Sequence, residues 1–154
     1  MIEIIKIEDV KLVTKPWGWE KWIQPGDNPH SYVLKEIQLN KGYRTSIQVH
    51  QMKSETNYIL EGTGEIWYSE DKLDCARYAV NGYSPEEISE IIDNLKCATY
   101  SPGDVMKITP GTIHRMVALT DLRFVEASTC HLDDVIRLQD DANRTHGKIE
   151  SEHK

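Results

Sequence analysis

The chain is written in short stretches where apolar and polar residues alternate, punctuated by glycine, proline, asparagine and aspartate. "WGWEKWIQ" at 17–24 alternates, and "SYVLKEIQL" at 31–39 does so after the turn-rich "PGDNPH". A period of two sends successive side chains to opposite faces of an extended backbone, so these stretches predict β-strands. "TSIQVH" at 45–50, "TNYILEG" at 56–62 and "GEIWYS" at 64–69 continue the pattern. "DVMKIT" at 104–109, "HRMVAL" at 114–119 and "LRFVEAST" at 122–129 complete it. The stretches at 56–62 and 64–69 meet at Gly62-Thr63-Gly64, which predicts a tight hairpin because glycine takes a positive φ without strain. Eight or more strands in this order predict an all-β barrel or jelly roll.

One segment leaves this rhythm. "SPEEISEIIDNLK" at 84–96 has Ser84 as an N-cap, Pro85 at the first helical position and Glu86 and Glu87 in the first turn. Ile88, Ile91, Ile92 and Leu95 share one face, so an amphipathic helix is expected. It falls in the longest gap between strands, about 70–100, and is expected to pack on the barrel as an insertion, either a buttress or a lid. The last stretch, "NRTHGKIESEHK", has little apolar periodicity. A single domain over 1–144 with a flexible tail over 145–154 is therefore expected.

Composition narrows the setting. With 154 residues, 39% hydrophobic and 28% charged, the chain can bury the core of one domain. Its net charge of −7 disfavours nucleic acid or an anionic membrane as partner, yet leaves room for a locally positive pocket. Glu3, Lys6, Glu8 and Asp9 interrupt "MIEIIKIEDV", and no apolar run reaches membrane-spanning length, so a cytoplasmic protein is expected. Cys75, Cys97 and Cys130 are scattered and form no CxxC pair, which reads as reduced thiols.

The chemistry gathers in "SIQVHQMKSE", residues 46–55. On a strand Gln48 and His50 point the same way, and a turn near Met52–Lys53 returns Glu55 to their side. "SPGDVMKITPGTIHRM" adds His114 after turns at Gly103 and Pro110-Gly111. An amide, two imidazoles and a carboxylate form a donor set suited to a borderline divalent ion, with positions left for water or substrate.

Gly42, Gln48, His50, Glu55 and Gly62 stand at G(x5)QxH(x4)E(x6)G, which resembles the first cupin motif with Gln in place of its first His. Gly103, Gly111 and His114 approximate the second cupin motif, with Thr109 and Ala118 where Pro and Asn are usual. The likeness narrows to the cupin domain of type II phosphomannose isomerases, also found fused behind mannose-1-phosphate guanylyltransferase. "KPWGWEKWI", "SIQVHQMKSETNYILEG", "ITPGTIHR" and "FVEASTCHLDDVIRLQDDANR" resemble that family's segments in order, over about residues 15–144 without the helical insertion.

The resemblance implies a cupin-type jelly roll in which Gln48, His50, Glu55 and His114 hold a divalent ion, commonly zinc. It implies interconversion of mannose 6-phosphate and fructose 6-phosphate through an enediol, with Lys53 and Arg137 as candidate catalytic residues. Arg44, Lys53 and Arg115 are candidate substrate cations, and Tyr58 a candidate sugar contact beside Trp17, Trp19, Trp22 and Trp67. Arg115 would point away from His114 on a regular strand, and Arg137 sits among Asp133, Asp134, Asp140 and Asp141. Lys53 stands where the family has Arg, and Ala142-Asn143-Arg144 where it ends in Tyr-Gly-Arg. The expected partner is a small sugar phosphate, with a homodimer formed through a barrel face. A metal-bearing cupin of other purpose, a carbohydrate-binding module or a small-molecule dioxygenase, is the competing class.

Overall fold

A computed structural model describes residues 1–153; Lys154, the last residue of the expected tail, lies outside the described residues. The strands are β1 (Lys11–Lys15), β2 (Gly18–Gln24), β3 (Val33–Leu39), β4 (Ile47–His50), β5 (Glu55–Glu61) and β6 (Gly64–Tyr68). After two helices come β7 (Lys96–Tyr100), β8 (Val105–Ile108), β9 (His114–Ala118), β10 (Leu122–Ser128) and β11 (Val135–Gln139). They form a six-stranded sheet, β1-β2-β3-β10-β5-β8, facing a five-stranded sheet, β11-β4-β9-β6-β7. All pairings are antiparallel, giving the expected jelly roll.

The expected hairpin at Gly62-Thr63-Gly64 does not form: β5 and β6 belong to different sheets. The glycines instead let the chain turn a corner against the β9–β10 connection. Gly62 has φ +84°, and a Cβ there would lie 2.1 Å from the Asp121 carbonyl oxygen; one on Gly64 would lie 2.5 Å from that of Val117. Both positions need the close backbone approach that only glycine permits.

The insertion also differs in detail from the single helix expected over 84–96. It holds α1 (Cys75–Ala79) and α2 (Pro85–Asp93), and the residues from Lys96 onward form β7 instead. The Ser84 side chain accepts from the Glu87 amide and the Glu87 carboxylate from the Ser84 amide, a complete capping box with Pro85 in the first turn. Ile91, Ile92 and Leu95 pack against Ile47, Val49, Leu73, Ile113 and Ile136, a cluster between the five-stranded sheet and the helices. The insertion is thus a buttress on the outer face of that sheet.

Between the sheets, polarity changes in rows. Gly18, Leu39 and Leu122 align across β2, β3 and β10, and Glu20, Ile37, Phe124 and Ile59 form the next row, apolar but for its β2 member. Leu39, Leu122 and Ile59 are fully buried, each contributing about 1.5–3 kcal/mol of apolar transfer. The following row reads Trp22, Lys35, Glu126 and Asn57. One half of the barrel is therefore an apolar core, and the other half carries buried charges around a cavity. Among the described residues, no helix is long and apolar enough to cross a membrane.

Candidate metal centre

β4 supplies Gln48 and His50, β9 supplies His114 directly opposite Gln48, and β5 on the facing sheet supplies Glu55. One ligand atom each of His50, Glu55 and His114 lies within 4.8 Å of the others, and all three residues are buried. His114 Nε2 stands 3.7 Å from Glu55 Oε1 and 3.5 Å from the Gln48 amide nitrogen. The Gln48 oxygen accepts from Ser46 Oγ at 2.9 Å; a half-turn of the carboxamide would present that oxygen to the centre instead.

Both imidazoles are oriented from behind. His114 Nδ1 meets the Thr112 carbonyl oxygen at 2.9 Å, and His50 Nδ1 faces Asp134 Oδ1 at 3.4 Å. Asp134 Oδ2 accepts from the backbone amides of Met52 and Lys53 at 2.7 and 2.8 Å, so one carboxylate fixes the turn that returns the chain to Glu55 and also backs His50. For His114 this is the arrangement of metal-binding histidines, with Nδ1 supported and Nε2 toward Glu55, whereas His50 Nδ1 faces Asp134 without a hydrogen bond. Among the described residues, neither ring nitrogen of the buried His50 has a hydrogen-bond partner. An orphaned imidazole nitrogen beside a carboxylate and a second imidazole fits a divalent ion.

Next to this cluster lies a buried chain of charges. Lys53 Nζ contacts Glu55 at 2.9 Å and Glu126 at 3.2 Å. Burial alone would push the Glu55 carboxyl up, but Lys53 holds it well below the usual carboxylate range. Burial and the Glu55 charge push the Glu126 carboxyl up to about 7. Burial opposes the charge on Lys53, and the two glutamates outweigh it, raising the ammonium above its ordinary value. Burial lowers His114 to about 4, the neutral form a metal requires. On the far wall Lys35 Nζ stands 3.3 Å from Glu20, and the Glu20 carboxylate accepts from Trp22 Nε1 at 2.9 Å.

These groups line a cavity of about 120 Å³. Six cationic side chains (Lys15, Lys35, Lys53, Arg137, Arg144 and Lys148) face it against three carboxylates, Glu20, Glu55 and Glu126. Lys15 and Arg144 are neutralised from behind by Glu152 and Asp140, so the positive excess of the wall rests on Arg137 and Lys148. No residue of the helical insertion lines it. The C-terminal segment does: Gly147, Lys148 and His153 form part of the wall. Within that segment Glu152 pairs with Lys15 at 2.8 Å and Arg144 at 3.3 Å, and His153 lies edge-on to Trp22 at 4.9 Å.

The other sequence candidates divide. Arg137 points into the cavity beside Gln48, but its guanidinium donates to the carbonyl oxygens of Thr145 and, at 2.9 Å, Gly147. Arg44 is exposed and makes a two-pronged pair with Asp141 at 2.7 and 3.0 Å, outside the cavity. Arg115 is buried on the opposite face of β9, where its Nε donates to the Thr45 carbonyl oxygen at 2.8 Å. Tyr58 is exposed on the outer face of β5. Trp17 and Trp22 line the cavity; Trp19 and Trp67 do not.

Sequence reasoning passed over Glu126, Lys35, Glu20 and Asn57. A signal was available: each occupies an inward position of an alternating strand, two residues along the same strand from Phe124, Ile37, Trp22 and Ile59 respectively. A charged or amide side chain on the apolar face of a strand is the exception that calls for a partner or a ligand. Asn57 is fully buried with both amide atoms unpartnered among the described residues.

Neither protein-family models nor curated proteins match the chain. Solved structures do. Oxalate decarboxylase from Bacillus subtilis superposes with a TM-score of 0.63 at 13% identity, covering 87% of this chain and 31% of that one. Ectoine synthase from P. lautus gives 0.62 at 13% identity over 85% and 80% of the two chains. CapF gives 0.58 at 14% identity over 84% of this chain, which spans only 34% of CapF. At such identities the likeness carries the fold alone: the chain adopts the jelly roll of the cupins, with a His50–Glu55–His114 cluster inside it.

Proposed function

We propose that the chain is a metal-dependent aldose–ketose isomerase acting on a sugar phosphate of the mannose 6-phosphate/fructose 6-phosphate kind. The observation that carries this reading is the Glu55–Lys53–Glu126 chain, which sets a second carboxyl against the metal-binding cluster inside a cavity also lined by Arg137 and Lys148. A divalent ion held by Gln48, His50, Glu55 and His114 would supply Lewis-acid polarisation of the sugar carbonyl. Glu126 is the group placed to take the proton from C2 of the open-chain aldose and return it to C1 of the enediol. Lys53 holds Glu126 in position through its ammonium and keeps Glu55 ionised as a ligand. The surplus of cations favours an anionic substrate, and the surrounding wall limits exchange with bulk water. One structural neighbour is named as a capsular polysaccharide assembling protein from Staphylococcus aureus, which keeps carbohydrate chemistry among the uses of this fold.

The test is direct. Metal-loaded protein incubated with mannose 6-phosphate in deuterated water is expected to yield fructose 6-phosphate by NMR, with solvent deuterium entering at C1 or C2. Glu126→Gln is expected to remove turnover while metal content is kept. Absence of both turnover and carbon-bound exchange across a panel of aldose and ketose phosphates defeats the reading.

A further inference from the structure

The Glu20–Lys35 pair has no part in the metal cluster, yet both residues line the same cavity from β2 and β3 on the opposite wall. Both are 7% exposed. Two charges held this far out of water are costly, and a well-packed apolar pair in their place is often equally stable or more so. Immediately below, the same sheet uses Ile37 and Leu39 on the β3 face, so the site does not lack apolar neighbours. The pair calls for a reason other than packing.

Its unused valences supply one. Glu20 Oε1 is occupied, accepting from Trp22 Nε1 at 2.9 Å and facing Lys35 Nζ at 3.3 Å. Among the described residues, Glu20 Oε2 accepts no hydrogen bond. Lys35 Nζ has three N–H donors, with one carboxylate oxygen beside it and the Trp22 ring 4.4 Å away. The pair is electrically neutral, so it offers no site for a phosphate. It presents an anionic acceptor and a cationic donor side by side, and an alcohol, both donor and acceptor, is the group that uses both. Trp22, with its ring already covered by Lys35, fixes the carboxylate rather than offering a stacking face.

We infer that Glu20 and Lys35 form a hydroxyl-recognition subsite that reads the end of a polyhydroxylated substrate remote from the metal cluster. The inference rests on the proposed function only for the sugar phosphate as the natural ligand; the subsite reads hydroxyls on any polyol skeleton that reaches it. It makes Glu20 and Lys35 specificity residues, which contribute to substrate choice without touching the reacting carbons.

The experiment is calorimetric titration of the metal-loaded full chain with mannose 6-phosphate, its singly deoxygenated analogues, gluconate and mannitol. Wild-type protein is expected to bind at least one parent ligand and to disfavour one deoxy analogue by about tenfold or more, since charged partners are left unpaired. Glu20→Gln/Lys35→Met, which removes both charges at similar volume, is expected to keep its metal and a cooperative unfolding transition and to bind parent and analogue equally. Retained discrimination in that variant overturns the subsite, as does wild-type indifference to every hydroxyl deletion, which needs no variant to fold. Binding of none of the polyhydroxylated ligands also overturns it. Discriminating binding of gluconate or mannitol without turnover of any sugar phosphate supports the subsite while removing the isomerase reading.

Discussion

Glu55 Oε1 lies 3.7 Å from His114 Nε2 although the two residues come from facing sheets, so the metal cluster closes across the barrel rather than along one strand. Removing either side is therefore expected to open it. Metal analysis of protein purified without chelator is expected to find about one divalent ion per chain. His50→Ala/His114→Ala is expected to abolish that content with the far-ultraviolet dichroism of the barrel retained. Full occupancy in the double variant sinks the ligand assignment.

Asp134 touches no substrate-facing atom of the cluster, yet it backs His50 and holds the amides of Met52 and Lys53. Asp134→Ala is expected to weaken metal affinity by about 10- to 100-fold, read in a competition titration against a chelating dye. An unchanged affinity returns Asp134 to a purely structural place in the turn.

Lys53 separates two buried carboxylates, Glu55 and Glu126. Lys53→Met leaves them uncompensated and is expected to destabilise the metal-free chain by about 3–5 kcal/mol in urea unfolding. Lys53→Arg restores a charge and is expected to recover part of that loss. Equal midpoints for wild type and Lys53→Met exclude the pairing as a stabilising contact.

Glu20 gives the pH dependence of stability a readable sign. Burial would raise its carboxyl, but Lys35 and Lys15 bring it down to about 2 from the ordinary 4.5. Between these values the unfolded chain binds the extra proton, so the contribution is complete above about 4.5 and is lost as pH falls through about 2. The loss is on the order of 3 kcal/mol. Glu20→Gln is expected to flatten the acid limb of the unfolding midpoint against pH, and a limb identical to wild type contradicts the ion pair.

Arg44, read from the sequence as a substrate cation, and Arg137, read as a catalytic residue, are expected to behave differently. Arg44→Ala breaks an exposed pair with Asp141 and is expected to shift stability by less than about 0.5 kcal/mol, with kcat/KM unchanged. Arg137→Met removes the donors to Thr145 and Gly147 and is expected to accelerate amide exchange over residues 144–153, seen by mass spectrometry. Unaltered exchange there separates Arg137 from the tail and leaves it a role in the cavity only.

What the sequence made legible follows the strength of local periodicity. The strands with clear alternation and the caps of α2 appear where the pattern puts them, because inward and outward positions face different solvents. β1 has only Leu12 and Val13 as apolar residues and lies at a sheet edge, so its alternation is too weak to read. β7 follows α2 so closely that Lys96 reads as the end of the helix, until pairing of Lys96–Tyr100 with β6 fixes it as strand. The metal-facing residues were legible because their donor types are rare at such spacings. Glu126 was not, because its significance depends on Lys53, distant in sequence and adjacent only across the barrel. The tail contacts were not legible for a similar reason: Lys15, Trp22 and Arg137 meet it through an ion pair, an aromatic edge and hydrogen bonds that leave no periodic trace.

That tail also sets an order of events. The clustered donors His50, Glu55 and His114 precede position 115, whereas the last stretch of the cavity wall runs from 131 to 153. A ribosome releases the first set before the second, so the ligand-bearing strands emerge while the mouth is still open, and the wall arrives last. Since β4 and β5 pair with β11 and β10, the donors are fixed only once those late strands arrive, and the residues after them complete the wall around an assembled cluster.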